Sequence, residues 1–182
     1  MTYARFDHDG LSPAELSAAR LDGELVAVGD AYVPADALET PTLRAATLRG
    51  ILGGSLVAIG LTAAWVHGAS GVPPRVHHAQ RTAARGVARP VDRRIRFRDT
   101  PIAVEDTVLL GGVRVSDPAR TLVDLVREFD DPDSAAAARR LATPPLIEQA
   151  LAWIDAHRRF GGRRPAAEIL RSLRGDPPAT TT

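Results

Sequence analysis

The spacing of apolar residues changes at Ser116, and this change constrains the fold more than any other feature of the chain. Between residues 75 and 115 the spacing is two, the period of a strand with one buried face. Val91, Arg93, Ile95 and Phe97 alternate with Asp92, Arg94, Arg96 and Arg98, residues 76–79 form a shorter strand candidate, and 108–110 and 113–115 flank Gly111-Gly112 as a hairpin. From Ser116, a helix cap, the spacing becomes three and four, with Ala119, Leu122, Val126 and Phe129 sharing one face up to about Glu128. An alanine-rich helix follows from Asp133 to Leu141 and is broken at Pro144-Pro145. Ile147, Leu151 and Ile154 then mark a helix over 146–158, and Pro165 opens a short one to Leu173 beyond Gly161-Gly162. Strands followed by a run of helices predict an α/β chain of the α+β kind, with a mixed body and a C-terminal helical bundle.

The N-terminal part reads differently. Ser12-Pro13-Ala14-Glu15 combines a cap, a proline at the first helical position and a glutamate three residues on, predicting a helix to about Leu21 that stops near Gly23. Residues 25–28 and 31–33 lie either side of Gly29-Asp30 and read as a short hairpin ending at Pro34. Helix plus hairpin is the second half of a winged helix, and residues 1–11 are too few to supply the other helices. Thr40-Pro41 caps a second helix through Leu43, Ala46 and Leu48 to about Gly50. A strand over 56–59 and a helix over 61–67 follow, before Gly71, Pro73 and Pro74 interrupt the chain. The expected organisation is a truncated winged-helix-like module (1–40), an α/β body (41–115), C-terminal helices (116–174) and a disordered tail (175–182).

Composition removes whole classes of chemistry. There is no cysteine, so no disulfide framework, thiolate zinc site or cysteine nucleophile. Lysine and asparagine are absent too, so all 23 basic residues are arginine. That excludes a phosphate-binding P-loop lysine and a Schiff base, and it removes asparagine as a reader of adenine. No apolar run reaches the length of a membrane span and residues 1–25 mix charges throughout, so a soluble, cytoplasmic protein is expected.

The net charge of +1 conceals blocks. Residues 1–43 hold eight acids against two arginines. Residues 75–98 hold Arg75, Arg81, Arg85, Arg89, Arg93, Arg94, Arg96 and Arg98 against Asp92 alone, which marks those arginines as the candidate nucleic-acid or partner face. Residues 99–156 return to eleven acids against five arginines. Such blocks suit separate faces with different partners, although solvated surface produces them too.

The sequence offers no convincing catalytic or metal-binding arrangement. Gly54-Ser55 matches the opening of a nucleotidyltransferase motif, but the next acid is Asp92, too far away to hold metal. Gly50, Gly53 and Gly54 have neither the order nor the lysine of a phosphate loop. His77 and His78 are adjacent on a strand and face opposite ways, so they cannot share one ion. Asp7-His8-Asp9 lies in a short polar segment without a rigid framework, and no GxSxG elbow exists. Glu105-Asp106 reads as a solvated turn, Arg120 and Asp124 as a surface pair four residues apart, and Trp65 and Trp153 as core anchors.

Three segments occur in a recognisable order: SPAELSAARLDGELVAVGDAYVPAD, then TAAWVHG, then GGVRVSDPARTLVDL. Together they resemble the AbiEi-type antitoxins and transcriptional regulators of type IV toxin–antitoxin systems in high-GC bacteria. The likeness covers about residues 12–173 and rests on Tyr32 and Pro34 in the wing, Trp65 and His67 in the middle motif, and Pro118, Arg120, Thr121 and Asp124 in the last. It implies a protein that is not an enzyme and needs no cofactor, that counters a nucleotidyltransferase toxin, and that regulates its own promoter by binding DNA. The rival reading is a sequence-tolerant nucleic-acid binder using the arginine-rich face. No membrane partner is expected, and the oligomeric state is left open.

Overall fold

A computed structural model describes residues 12–29, 31–82, 90 and 92–175. Helix α1 (Pro13–Leu21) starts where its capping box requires: the Glu15 amide donates to Ser12 Oγ at 3.3 Å and the Ser12 amide to Glu15 Oε2 at 2.6 Å. Strands β1 (Leu25–Val28) and β2 (Ala31–Pro34) pair antiparallel, Leu25 opposite Pro34 and Val28 opposite Ala31. The hairpin is therefore present, with Leu25, Ala31 and Val33 buried. Gly29, at φ +60°, seats its tip on the body: a Cβ there would stand 3.1 Å from both Thr47 Oγ1 and the Trp65 ring.

The helix expected over 41–50 is two short ones, α2 (Pro41–Thr47) and α3 (Arg49–Leu52), with Leu48 closing the first and opening the second. Strand β3 (Leu56–Ala58) is wholly buried and leads into α4 (Gly60–Val66). Strands β4 (His77–Thr82), β5 (Ile95–Ile102), β6 (Thr107–Leu110) and β7 (Val113–Ser116) complete a five-stranded sheet of order β5-β4-β3-β7-β6. β3 pairs antiparallel with β4 and parallel with β7, β4 runs parallel to β5, and β6 and β7 form the hairpin about Gly111-Gly112.

The alternation around the arginines starts later than its sequence suggests. Asp92–Arg94 is a turn, closed by the Ile95 amide donating to the Asp92 carbonyl at 3.0 Å and the Arg94 amide to Asp92 Oδ1 at 2.8 Å. The strand then runs through Pro101, which an edge strand tolerates because its missing N–H breaks no interior ladder. Val91 lies outside the described residues.

Four helices follow: α5 (Pro118–Arg127), α6 (Pro132–Leu141), α7 (Pro144–Ala156) and α8 (Arg163–Leu173). The cap of α5 is Asp117, accepting from the Arg120 amide at 2.8 Å, and that of α6 is Asp131, accepting from the Ser134 amide at 2.8 Å. Ser116 and Asp133, the residues expected in those roles, sit one residue outside and two inside. Pro144-Pro145 opens α7 rather than merely ending α6, since the first helical positions need no N–H donor.

Two apolar clusters meet at α4. Ala63, Trp65 and Val66 pack with Leu48, Leu52, Ala79 and Val115 on one sheet face, while Ala64 joins Leu122, Val126, Ile147, Ile154 and Leu170 among the C-terminal helices. Burying each such Leu or Ile side chain contributes about 1.5–3 kcal/mol. α4 thus ties the sheet to the bundle, and no described helix is long and apolar enough to cross a membrane.

Candidate functional site

The sheet face opposite Ala79 and Phe97 carries polar residues. Gln80 and Arg98 sit side by side in the β4–β5 register on that face, because side chains alternate along a strand. Helix α5 presents Arg120 and Asp124 four residues apart and Arg127 three beyond, a helical stripe. Arg98 reaches across, donating Nη1 to Asp124 at 3.3 Å and Nη2 to Glu128 at 3.1 Å. Arg120 donates Nε to Asp124 Oδ2 at 3.3 Å and Nη1 to Asp106 Oδ2 at 2.9 Å. The other oxygen of Asp106 accepts the Trp153 indole N–H at 2.7 Å, and the Arg120 guanidinium lies 4.8 Å from the Trp153 ring centre.

This seam joins β5, the turn before β6, α5 and α7. Asp106, Arg120 and Asp124 are all buried, so each depends on its partners for what water would otherwise supply. The Arg120–Asp124 pair, expected on the surface, is interior. Asp106, expected in a solvated turn, is the hub, and Trp153 is half-buried with its N–H committed.

A second set of bonds locks α4 to the β7–α5 junction. His67 donates Nε2–H to the Ser116 carbonyl at 2.8 Å, Thr121 donates to the same carbonyl at 3.1 Å, and the Ser116 and Thr121 hydroxyls lie 2.7 Å apart. Burial depresses the His67 pKa, opposed by the Ser116 carbonyl and by Asp117. The Asp117 carboxyl is pushed up by its own burial, against the backbone N–H groups it caps. His78 is also held below the usual histidine range, chiefly by burial.

The structure separates the eight candidate arginines. Arg81 pairs with Asp99 at 3.0 Å, Arg94 with Asp92 at 2.8 Å, and Arg98 with Asp124 and Glu128. Arg75, Arg93 and Arg96 are exposed, whereas Arg85 and Arg89 fall outside the described residues, as does Asp7-His8-Asp9. Of the motif positions, Tyr32 and Pro34 are half-buried in β2, Trp65 is buried in the sheet core, and Pro118 opens α5. His67, Arg120, Thr121 and Asp124 are drawn into the two bonded sets just described. Among the described residues no group of three or more His, Cys, Asp or Glu side chains is placed to hold a metal ion.

Beside the seam opens a cleft of about 820 Å³, whose walls include Gln80, Thr100, Asp106, Arg120, Trp153 and His157. His157 stacks on Trp153 with ring centres 3.9 Å apart, and Phe160 meets Trp153 edge-on at 4.9 Å. Sequence reading missed this cleft because its walls come from β4, β5, the turn before β6, α5 and the end of α7. The one available signal was Trp153, since a partly buried indole N–H needs an acceptor.

These features define a mixed α/β protein whose sheet and C-terminal helices are bolted together by buried polar side chains. Residues 56–152, from β3 into α7, match the family model described as the AbiEi antitoxin C-terminal domain. The match spans more than half of the chain, which therefore belongs to the AbiEi antitoxin family. Comparison with curated proteins finds no match.

Proposed function

We propose that the chain is the non-catalytic antitoxin of a type IV system, countering a nucleotidyltransferase toxin by binding, with the part from Pro41 onward making the contact. The observation that carries this reading is the family match over residues 56–152, the stretch that holds both bonded sets except Trp153. His67, Arg120, Thr121 and Asp124 are occupied by internal bonds, which suits a framework that presents a surface. Arg75, Arg93 and Arg96 are exposed on that framework and supply charge that steers and selects a partner. In the same reading α1 and the β1–β2 hairpin are a reduced winged-helix element, any regulation of the promoter draws on arginines outside residues 1–43, and the protein works in the cytoplasm.

A co-expression assay with a nucleotidyltransferase toxin of a type IV system tests the proposal. Wild type is expected to restore growth, and Arg75→Glu, Arg93→Glu and Arg96→Glu together are expected to lose that protection with an unchanged circular dichroism spectrum. Arg98 is left out of the reversal because Asp124 and Glu128 hold it, so its loss would damage the fold. Equal protection by the folded triple variant would remove the charged face from the mechanism. Failure of wild type to protect would remove the antitoxin reading. The arginine-rich face as a nucleic-acid surface is the second reading, favoured by the exposure of the same three side chains.

A further inference from the structure

The cleft beside the seam holds two features that the bonds described so far leave unused. Gln80 is 2% exposed and donates Nε2 to Thr100 Oγ1 at 3.1 Å, while its Oε1 has no partner. A buried amide oxygen without a donor costs about 1–3 kcal/mol, and Gln80 is one of the residues lining the cleft. At the rim, Arg158 and Arg159 make no hydrogen bond or ion pair with any described residue, and Arg127 has only the Phe160 ring beneath its guanidinium at 4.6 Å. These three guanidiniums add positive charge beyond Arg98 and Arg120, whose partners are Asp106, Asp124 and Glu128.

The rim calls for a ligand with several negative charges, and planar guanidiniums match phosphate oxygens two at a time. Gln80 calls for something else. Phosphates and carboxylates are acceptors and would leave Gln80 Oε1 as it is, so the far end of the ligand must carry an N–H or O–H donor. A nucleobase edge does so, and its neighbouring acceptor suits the second hydrogen of Nε2, the bidentate pairing that glutamine makes with adenine. The cleft volume of about 820 Å³ lies within the range of about 300–1,000 Å³ usual for small-molecule sites.

We propose that this cleft binds a nucleoside phosphate, its phosphates held by Arg127, Arg158 and Arg159 and its base by the Gln80 amide. The Trp153 ring already stacks on His157 and carries the Arg120 guanidinium, so the base is gripped by its edge rather than by stacking. The inference stands apart from the antitoxin reading and does not depend on it.

Isothermal titration of the full chain with ATP, GTP, CTP, UTP and inorganic triphosphate is the test, with a single-stranded decanucleotide as competitor. At least one nucleoside triphosphate is expected to bind with a Kd below about 1 mM, roughly tenfold or more tighter than inorganic triphosphate. Arg158→Glu with Arg159→Glu, both exposed and remote from the core, should weaken it by roughly a hundredfold. Gln80→Leu should cost about tenfold and bring the nucleotide down to the level of inorganic triphosphate. No binding at several millimolar overturns the site, and equal binding of inorganic triphosphate overturns its base-recognising half. An oligonucleotide that binds through Arg158 and Arg159 without being displaced by mononucleotide also overturns it, since the rim would then be a strand-tracking surface. Competition between the two supports it, and their relative affinities tell a free nucleotide from the end of a strand.

Discussion

Asp106 and Asp99 are both carboxylates within hydrogen-bonding reach of an arginine, yet the two positions should respond very differently to mutation. Asp106→Ala would take the acceptor from Arg120 Nη1 and from the Trp153 N–H and leave Asp124 as the one carboxylate paired with Arg120, and breaking a buried pair in this way costs about 3–5 kcal/mol. Asp99 faces solvent at 86% exposure, so Asp99→Ala should cost less than about 1 kcal/mol despite its 3.0 Å contact with Arg81. Urea unfolding of the two variants measures both, and equal losses would mean that Asp106 is not the hub. His67 gives a second residue-scale prediction, about pH. Its folded pKa is depressed, so the unfolded chain binds the proton more tightly, and stability falls as pH drops below the ordinary histidine value of about 6.5. His78 acts in the same direction. Asp117 opposes them: its raised pKa favours the folded state at low pH, and that contribution is lost as pH rises from the carboxylate range. Between pH 7 and 5 the histidines govern, and the urea midpoint should fall on acidification. Replacing His67 with Gln should shrink that drop, and an unchanged slope would show that His67 does not titrate with folding.

At the scale of elements, two glycines sort the turns by what each must do. Gly111 has φ +52°, and a Cβ there would overlap the Thr42 carbonyl oxygen and come within 2.8 Å of Ala46 Cβ, so the β6–β7 turn is pressed against α2. Gly111→Ala combines left-handed strain with overpacking and should cost about 2–4 kcal/mol. Gly54 has an ordinary φ and open space where a Cβ would go, so Gly54→Ala should be neutral or stabilise by up to about 1 kcal/mol. Thermal melts of the pair check the contrast, which fails if both variants melt alike. The hairpin at Gly111-Gly112 was legible in the sequence because turn chemistry is local, and so were the α1 capping box and the apolar faces of α5 and α7. The seam was not. Arg98 finds Asp124 and Glu128 at separations of 26 and 30 residues, and Trp153 finds Asp106 at 47, distances over which no periodicity carries information. The strand start at Ile95 was misplaced for a related reason: Val91, Arg93 and Ile95 satisfy a period of two, but the Asp92 side chain captures the Arg94 backbone and makes a turn instead.

At the scale of the whole molecule, the arrangement of charge decides how this chain can meet DNA. Residues 1–43 carry eight acids against two arginines, so that segment is repelled by phosphates whatever shape α1 and the hairpin take. Any duplex binding must therefore draw on cations elsewhere, and only arginines free of carboxylates release counterions when they touch the backbone. Arg75, Arg93 and Arg96 qualify by exposure, whereas Arg81, Arg94 and Arg98 already face Asp99, Asp92 and the Asp124–Glu128 pair. Fluorescence anisotropy with a duplex at several salt concentrations separates the two sets. Replacing Arg75, Arg93 and Arg96 with Ala should flatten the plot of log affinity against log salt by about one unit for each lost phosphate contact, whereas Arg81→Ala should leave the slope unchanged. A slope that depends equally on Arg81 and on the exposed three would mean that the Asp99 pair opens to admit the backbone. A slope that survives loss of all three would place the contact on another surface, with the rim arginines Arg158 and Arg159 the next to replace.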